Sequence, residues 1–337
     1  MNRRTLTAAN RARALVLAAA LVAAGCTPLV ERPLTPPAGF AGPRLESDAV
    51  VSFDGTRLGL ATYLPAGGSE PWAVIVGVHG LNSYARAYHE AGPYWAAHGV
   101  AVYAYDQRGF GRSPGRGHWA GEALFTEDLR TVCALVRQRY PHAVIAVAAT
   151  SMGGSVAIEA FAADRPPTAD RLILLAPEVS GWSDRSPAYE ATVWTVAHVA
   201  PGARFTPPDW LLRRLQGTDN TEELASARRD PLMTWRMRPD EFYGLANLSE
   251  RAAHDTARLK VPTAYLFGVK DRIEPLTATE RAAAALPPGD VTADYPEGWH
   301  LLLLDHHRQR VFDDILGFLR DPAQPLASHP SPIPRPN

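Results

Sequence analysis

The stretch Val147-Ala-Ala-Thr-Ser-Met-Gly-Gly-Ser155 decides how this chain is read. Ala143 to Ala149 is an uncharged run of small apolar residues, the composition of a strand covered on both faces. Met152 to Ala163 then carries a helical pattern. Ser151 stands at the corner between them, near the positive end of the helix dipole. The spacing is that of a nucleophile elbow, G-x-S-x-G, in which a sharp strand-to-helix turn exposes a serine hydroxyl. Gly153 fits, but Ala149 stands where the first glycine belongs. Serine is also a common helix N-cap, so the stretch alone fits a capped helix as well as a nucleophile.

Working outward, the same alternation recurs. Val50-Val-Ser-Phe53 and Arg57 to Leu64 flank Asp54-Gly55, a hairpin signal. Trp72 to Val78, Val100 to Tyr105, Leu172 to Ala176 and Thr263 to Phe267 are further apolar runs. Helical patterns separate them at Ala87 to Ala97, Ala120 to Arg139, Thr277 to Ala285 and Asp305 to Leu319. The last places Val311, Phe312, Ile315, Leu316 and Leu319 on one stripe. Strand–helix alternation after an opening hairpin predicts an α/β fold, a mostly parallel sheet with helices on both faces, over residues 46–177 and 248–320. Residues 178–247 have no clear buried strand and hold four of the eight tryptophans, Trp182, Trp194, Trp210 and Trp235. This segment is expected to be a helical cap over the carboxyl ends of the strands, where ligands bind in open α/β sheets; core-packing tryptophans would be compatible with it.

The 337 residues are 46% hydrophobic and 20% charged, with a formal net charge of −1. That is a soluble globular composition, without the basic excess that a nucleic-acid partner calls for. The ends differ. Arg3, Arg4, Arg11 and Arg13 precede the apolar run Ala14 to Ala24, which is too short to span a bilayer. Residues 1–25 are therefore expected to be an export signal. Ala-Gly before Cys26 resembles the lipobox of bacterial lipoproteins, which implies lipidation of Cys26 and anchoring in the cell envelope. Ala23 departs from the usual leucine there, and an ordinary secretory signal is the alternative. Thr27 is compatible with an outer membrane, facing the periplasm. Residues 26–45, with Pro28, Pro33, Pro36, Pro37 and Pro43, read as an extended tether. Residues 321–337 read as a proline-rich, disordered tail. With Cys26 lipidated, Cys133 is left as a free thiol in an apolar helical pattern, and no disulfide forms within the chain.

A serine nucleophile needs a base to take its proton and a carboxylate to fix the base's tautomer. Downstream, Thr263 to Phe267 runs into Gly268-Val-Lys-Asp271, and Val291-Thr-Ala-Asp-Tyr295 leads to Pro296-Glu-Gly-Trp-His300. The order Ser151, Asp271, His300 puts all three on loops at one end of the sheet. Further pieces fall into place: His79-Gly-Leu-Asn-Ser83, Asp106-Gln-Arg-Gly-Phe-Gly-Arg-Ser113, Thr150-Ser-Met-Gly-Gly154, Asp230-Pro-Leu232 and Gly298-Trp-His300. Together they resemble the α/β-hydrolase superfamily, specifically the monoacylglycerol lipase and lysophospholipase group with its serine aminopeptidase relatives, over roughly residues 46–320. The resemblance implies that Ser151 is the nucleophile, His300 the general base and then acid, and Asp271 its orienting carboxylate. It implies an oxyanion hole from the backbone N–H groups of Leu81 and Met152. No cofactor or metal is needed for such chemistry.

His79, Asp106 and Arg108 read as structural residues of their turns. His306 and His307 begin a helix, His254 and Asp255 precede a strand, and Ser155 lies one turn into its helix. Glu274 competes with Asp271 for the acid's role. The expected substrate is a single-chain lipid ester, such as a monoacylglycerol or lysophospholipid, and Trp210-Leu-Leu-Arg-Arg-Leu215 would suit a lipid surface. An aminopeptidase is the neighbouring reading, with Glu178, Asp184 and Glu190 available to hold a free amine. A non-catalytic envelope lipoprotein on a hydrolase scaffold is the third, motivated by Ala149.

Overall fold

The computed structural model describes residues 27–334, so the expected export signal, Cys26 and the last three residues lie outside the described residues. Nine strands form one sheet: β1 (Arg44–Leu45), β2 (Ala49–Val51), β3 (Arg57–Tyr63), β4 (Ala73–Val78), β5 (Val100–Tyr105), β6 (Val144–Thr150), β7 (Arg171–Leu175), β8 (Thr263–Gly268) and β9 (Val291–Tyr295). Their spatial order is β1-β2-β3-β5-β4-β6-β7-β8-β9. The first four in that order pair antiparallel, and every pair from β5 to β9 is parallel. The chain steps from β4 outward to β5, then returns past β4 to β6. The crevice at such a reversal of strand order is where ligands bind. Here it opens between the carboxyl ends of β4 and β6, whose last paired residues are Val78 and Ala149.

Each buried strand splits its side chains between two cores, as the period of two requires. Ile145, Val147 and Ala149 of β6 face the helices α2 (Glu122–Arg139), α3 (Met152–Ala162), α7 (Pro239–Asp255) and α8 (Leu276–Ala285). Ala146 and Ala148 face α1 (Ala91–Ala97) and α9 (Arg308–Arg320). The stripe expected on α9 is buried in full: Val311, Phe312, Ile315, Leu316 and Leu319, each contributing about 1.5–3 kcal/mol on leaving water. Cys133 packs inside the α2 side, where burial pushes its thiol pKa up, so it is a packing residue and a poor nucleophile.

The cap is helical, with α4 (Pro187–Val199), α5 (Asp209–Arg214) and α6 (Thr221–Arg229) between β7 and α7. Three expectations need adjustment. The segment's limit at residue 247 falls inside α7, a continuous helix that packs Leu248 and Ala252 into the core. The tail is not structureless over residues 321–334. Leu326 and Ile333 are buried, Ser328 N–H donates to Asp314 at 2.7 Å, and Asp294 N–H of β9 donates to Ser331 O at 2.7 Å. The tether is extended but lies on the domain. Leu34 N–H donates to Asp54 and Glu31 N–H to Trp119 O. Both differences have one cause: proline-rich composition reports missing local structure, whereas these contacts are to residues distant in sequence.

Candidate active site

Ser151 has φ 52° and ψ −124°, a backbone state that costs a non-glycine residue on the order of 1–3 kcal/mol. Neighbouring backbone over-determines it. Ser151 N–H donates to Leu175 O at 3.1 Å, while Ser151 O accepts from Gly154 at 2.7 Å and from Glu178 at 3.1 Å. Glycine at 153 follows from space, since a Cβ there would sit 2.5 Å from Val78 O and 2.6 Å from His79 O. Ala149 faces no such wall. It is an extended strand residue between Val78 and Leu174, and its methyl is buried in the core on the α2 and α3 side. Alanine therefore serves where the elbow's first glycine belongs. Ala149→Gly is expected to leave kcat/KM within about tenfold. Ala149→Val, which overpacks the core, is expected to destabilise the fold by about 1–3 kcal/mol. Thermal melting and ester kinetics on both variants check this.

The structure brings Asp271 and His300 together. His300 Nδ1 lies 2.7 Å from Asp271 Oδ2, and both side chains are almost fully buried. Asp271 Oδ1 accepts from the N–H groups of Ile273 at 2.7 Å and Glu274 at 3.0 Å, so both oxygens are held. Two glycines allow the acid loop to touch the histidine loop. A Cβ on Gly268 would meet the Gly298 carbonyl carbon at 2.4 Å, and Lys270 N–H donates to Gly298 O at 2.9 Å. Burial pulls the His300 pKa down, but the Asp271 charge and hydrogen bond outweigh it, so the net shift is upward. Among the described residues no hydrogen bond joins Ser151 Oγ to His300. Such catalytic contacts commonly tighten only when substrate is bound.

The β4 loop supplies the other wall. A Cβ at Gly80 would lie 3.0 Å from Ser151 Cβ and 3.5 Å from its Oγ, which puts the Gly80–Leu81 backbone against the serine. Among the described residues, neither Leu81 N–H nor Met152 N–H is taken up by another backbone group. His79 sets this loop. Its Nδ1 bonds Gly80 O at 2.8 Å, and its Nε2 accepts the Gln107 N–H at 2.9 Å, so the ring is neutral. Burial lowers its pKa, in keeping with that state. Asn82, with φ 64°, then turns the chain so that its carbonyl accepts the Thr234 N–H of the cap.

The rivals have other work. Asp106 accepts from Ala85 N–H and Arg112 N–H, and Arg108 is buried between Asp54 and Asp128. Ser155 Oγ donates to Glu178 O at 2.5 Å, away from the site. His254 is exposed, and Asp255 pairs with Arg258. His306 and His307 are exposed on their turn. Of the carboxylates suggested for an amine, Asp184 pairs with Arg281, Glu190 is exposed and Glu178 is buried. Glu274 does not reach His300 as an acid; it contacts Val179 N–H and Ser180 Oγ. Sequence reasoning missed Asp305, whose carboxylate accepts Trp299 N–H at 2.7 Å, one residue before His300. Burial lifts the Asp305 pKa to about 6. Its place five residues beyond His300 was the available signal.

The chain is similar to the monoacylglycerol lipase of Mycolicibacterium smegmatis, with 28% identity over 254 residues, 74% of this chain and 89% of that protein. Its fold is similar to the Paleococcus ferrophilus monoacylglycerol lipase, with TM-score 0.63 and 20% identity over 79% of this chain and 99% of that one. A thermostable carboxyl esterase from Bacillus coagulans gives TM-score 0.66 and 19% identity over 81% and 97%. The class is that of an α/β-hydrolase. Within it, residues 69–307 match the family described as "Serine aminopeptidase, S33", and the chain belongs to that family.

Proposed function

We propose that the enzyme cleaves carboxylic esters of single-chain lipids, monoacylglycerols or lysophospholipids, through an acyl-enzyme on Ser151. The observation that carries this reading is the buried Asp271–His300 pair, 2.7 Å apart, on the strand-end loops that also present the strained Ser151 turn. Asp271 holds the proton on His300 Nδ1, which leaves Nε2 free to take the Ser151 proton. Ser151 Oγ then attacks the ester carbonyl. The N–H groups of Leu81 and Met152 stabilise the oxyanion, each such donor being worth roughly 10²–10³ in rate. His300 returns the proton to the departing alcohol, and water repeats the sequence on the acyl-enzyme.

The lipid part rests on the cap. Tyr189, Trp194, Phe205, Trp210 and Leu215 leave large apolar surfaces exposed there, in a protein whose relatives include monoacylglycerol lipases. With the expected lipid on Cys26, the cap would work beside an envelope membrane, possible substrates lying within reach of the anchor. Among the described residues no helix is long and apolar enough to cross a membrane. Side-by-side rates on short 4-nitrophenyl esters, long-chain monoacylglycerols, lysophospholipids and aminoacyl-anilides test the reading. Turnover of the lipid esters is expected; hydrolysis of the anilides alone would replace it with the aminopeptidase.

A further inference from the structure

Two buried carboxyl groups beside the site have no role in the chemistry described so far. Glu178 follows β7 and is 7% exposed, while Glu274 lies three residues beyond Asp271 and is 2% exposed. Ser180 Oγ lies 3.1 Å from an oxygen of each, and Arg185 Nη2 donates to the same Oγ at 2.8 Å. The second oxygen of Glu274 accepts Val179 N–H at 3.0 Å. These contacts require a proton. A serine hydroxyl has one hydrogen and can donate to only one carboxyl. A carboxylate has none, so the second carboxyl can bond that oxygen only when it carries a proton itself.

The backbones of the same two residues reach the serine turn and the acid turn. Glu178 N–H donates to Ser151 O, and Glu178 O accepts from Ser155 Oγ. Glu274 N–H donates to Asp271 Oδ1. We propose that Glu178 and Glu274 are a positioning pair: one proton shared between them clamps the acid turn to the serine turn and so holds Asp271 against His300. This rests on the esterase reading of Ser151, Asp271 and His300. Loss of the proton leaves two adjacent buried negative charges, which drive the turns apart.

The charged surroundings point the same way. Arg185, from the start of the cap, is the one cation facing the pair among the described residues, 3.8 Å from Glu178 and partly exposed. Asp271 and the phenol of Tyr265 face Glu274 from β8 and its loop, and His300 faces Glu178 from the loop after β9. The nearby Asp184 and Arg281 are bonded to each other. Burial, then the charge of Glu178, lifts the Glu274 pKa well above the ordinary carboxyl value, which makes Glu274 the proton holder. The negative charge left on Glu178 favours the imidazolium that His300 becomes during reaction.

The test compares wild type, Glu274→Gln and Glu274→Ala by pH profile and by melting. In wild type kcat/KM should rise with pH as His300 loses its proton, then fall reversibly at alkaline pH as the pair loses its own. Glu274→Ala should lower kcat by about 10–100-fold with little change in KM, the effect of a misplaced catalytic group. Glu274→Gln, whose amide donates without titrating, should recover at least about tenfold of that loss and abolish the alkaline fall. Melting requires no turnover, so it judges the pair even where the esterase reading fails. A carboxyl whose folded pKa is raised stabilises fully below its unfolded value and loses that contribution as pH rises through the folded value. The melting temperature of Glu274→Gln should therefore decline less steeply with rising pH than that of wild type. His300, Asp305 and Glu241 titrate in both proteins and cancel in the comparison. Equal loss in the Ala and Gln variants, an unchanged alkaline fall in Gln, or identical melting slopes would each overturn the proposal.

Discussion

Ser151→Ala is expected to lower kcat/KM on every ester substrate by at least about 10⁴-fold while the protein melts within a few degrees of wild type. The size of the loss follows from what remains: oxyanion donors and binding alone retain only a residual catalysis when the nucleophile is removed. The retained stability follows from the local structure. Alanine keeps the Cβ, so the strain at φ 52° is unchanged. The backbone bonds to Leu175, Gly154 and Glu178 do not involve the hydroxyl. A fluorophosphonate probe should label wild type and leave Ser151→Ala unlabelled. Labelling that persists in the variant would place the nucleophile elsewhere, and an unlabelled wild type would favour a non-catalytic scaffold.

The largest effect on stability is expected at Arg108. Its guanidinium is 2% exposed and makes paired bonds to Asp54, both at 2.8 Å, and to Asp128, at 2.6 and 2.8 Å, with a further bond to Thr56. Three elements meet there: the β2–β3 turn, the loop after β5 and α2. Burial alone would raise the Asp54 pKa, but Arg108 and the bonds from Leu34 and Thr56 carry it below the usual carboxylate range. That contribution is present above the unfolded carboxyl value and is lost as pH falls toward the folded one. Arg108→Ala leaves two buried carboxylates without their cation, which costs about 3–5 kcal/mol and lowers the melting temperature by about 5–8 °C. Combining Arg108→Met with Asp54→Leu and Asp128→Leu should recover much of the loss, since apolar replacement of a whole buried ion cluster is often neutral. A single variant that melts with wild type would show the cluster to be dispensable.

What could be read from the sequence was what local pattern encodes. The runs that became β4 to β8 are apolar because both faces are covered, and α9 announced itself by its stripe. Ser151, Asp271 and His300 were legible because each follows a recognisable strand. Glu178 and Glu274 were not read as a pair, because 95 residues and the whole cap separate them and nothing local to either marks the other. Glu178 was instead one of three carboxylates offered to a free amine, a role suggested by its charge and opposed by its burial. The tail and tether were legible only in part, for a related reason. Their prolines report weak local preference correctly, but their order comes from Asp54, Asp314 and β9.

The tail's position also bears on how this molecule behaves in company. A parallel sheet that ends in an unpaired strand offers its backbone to any other extended chain, including a second copy. On β9 that offer is withdrawn where Ser331 takes the Asp294 N–H and Ile333 N–H reaches Thr292 Oγ1. A segment with no place in the chemistry thus covers part of the edge at which the sheet would otherwise lie open to another extended chain.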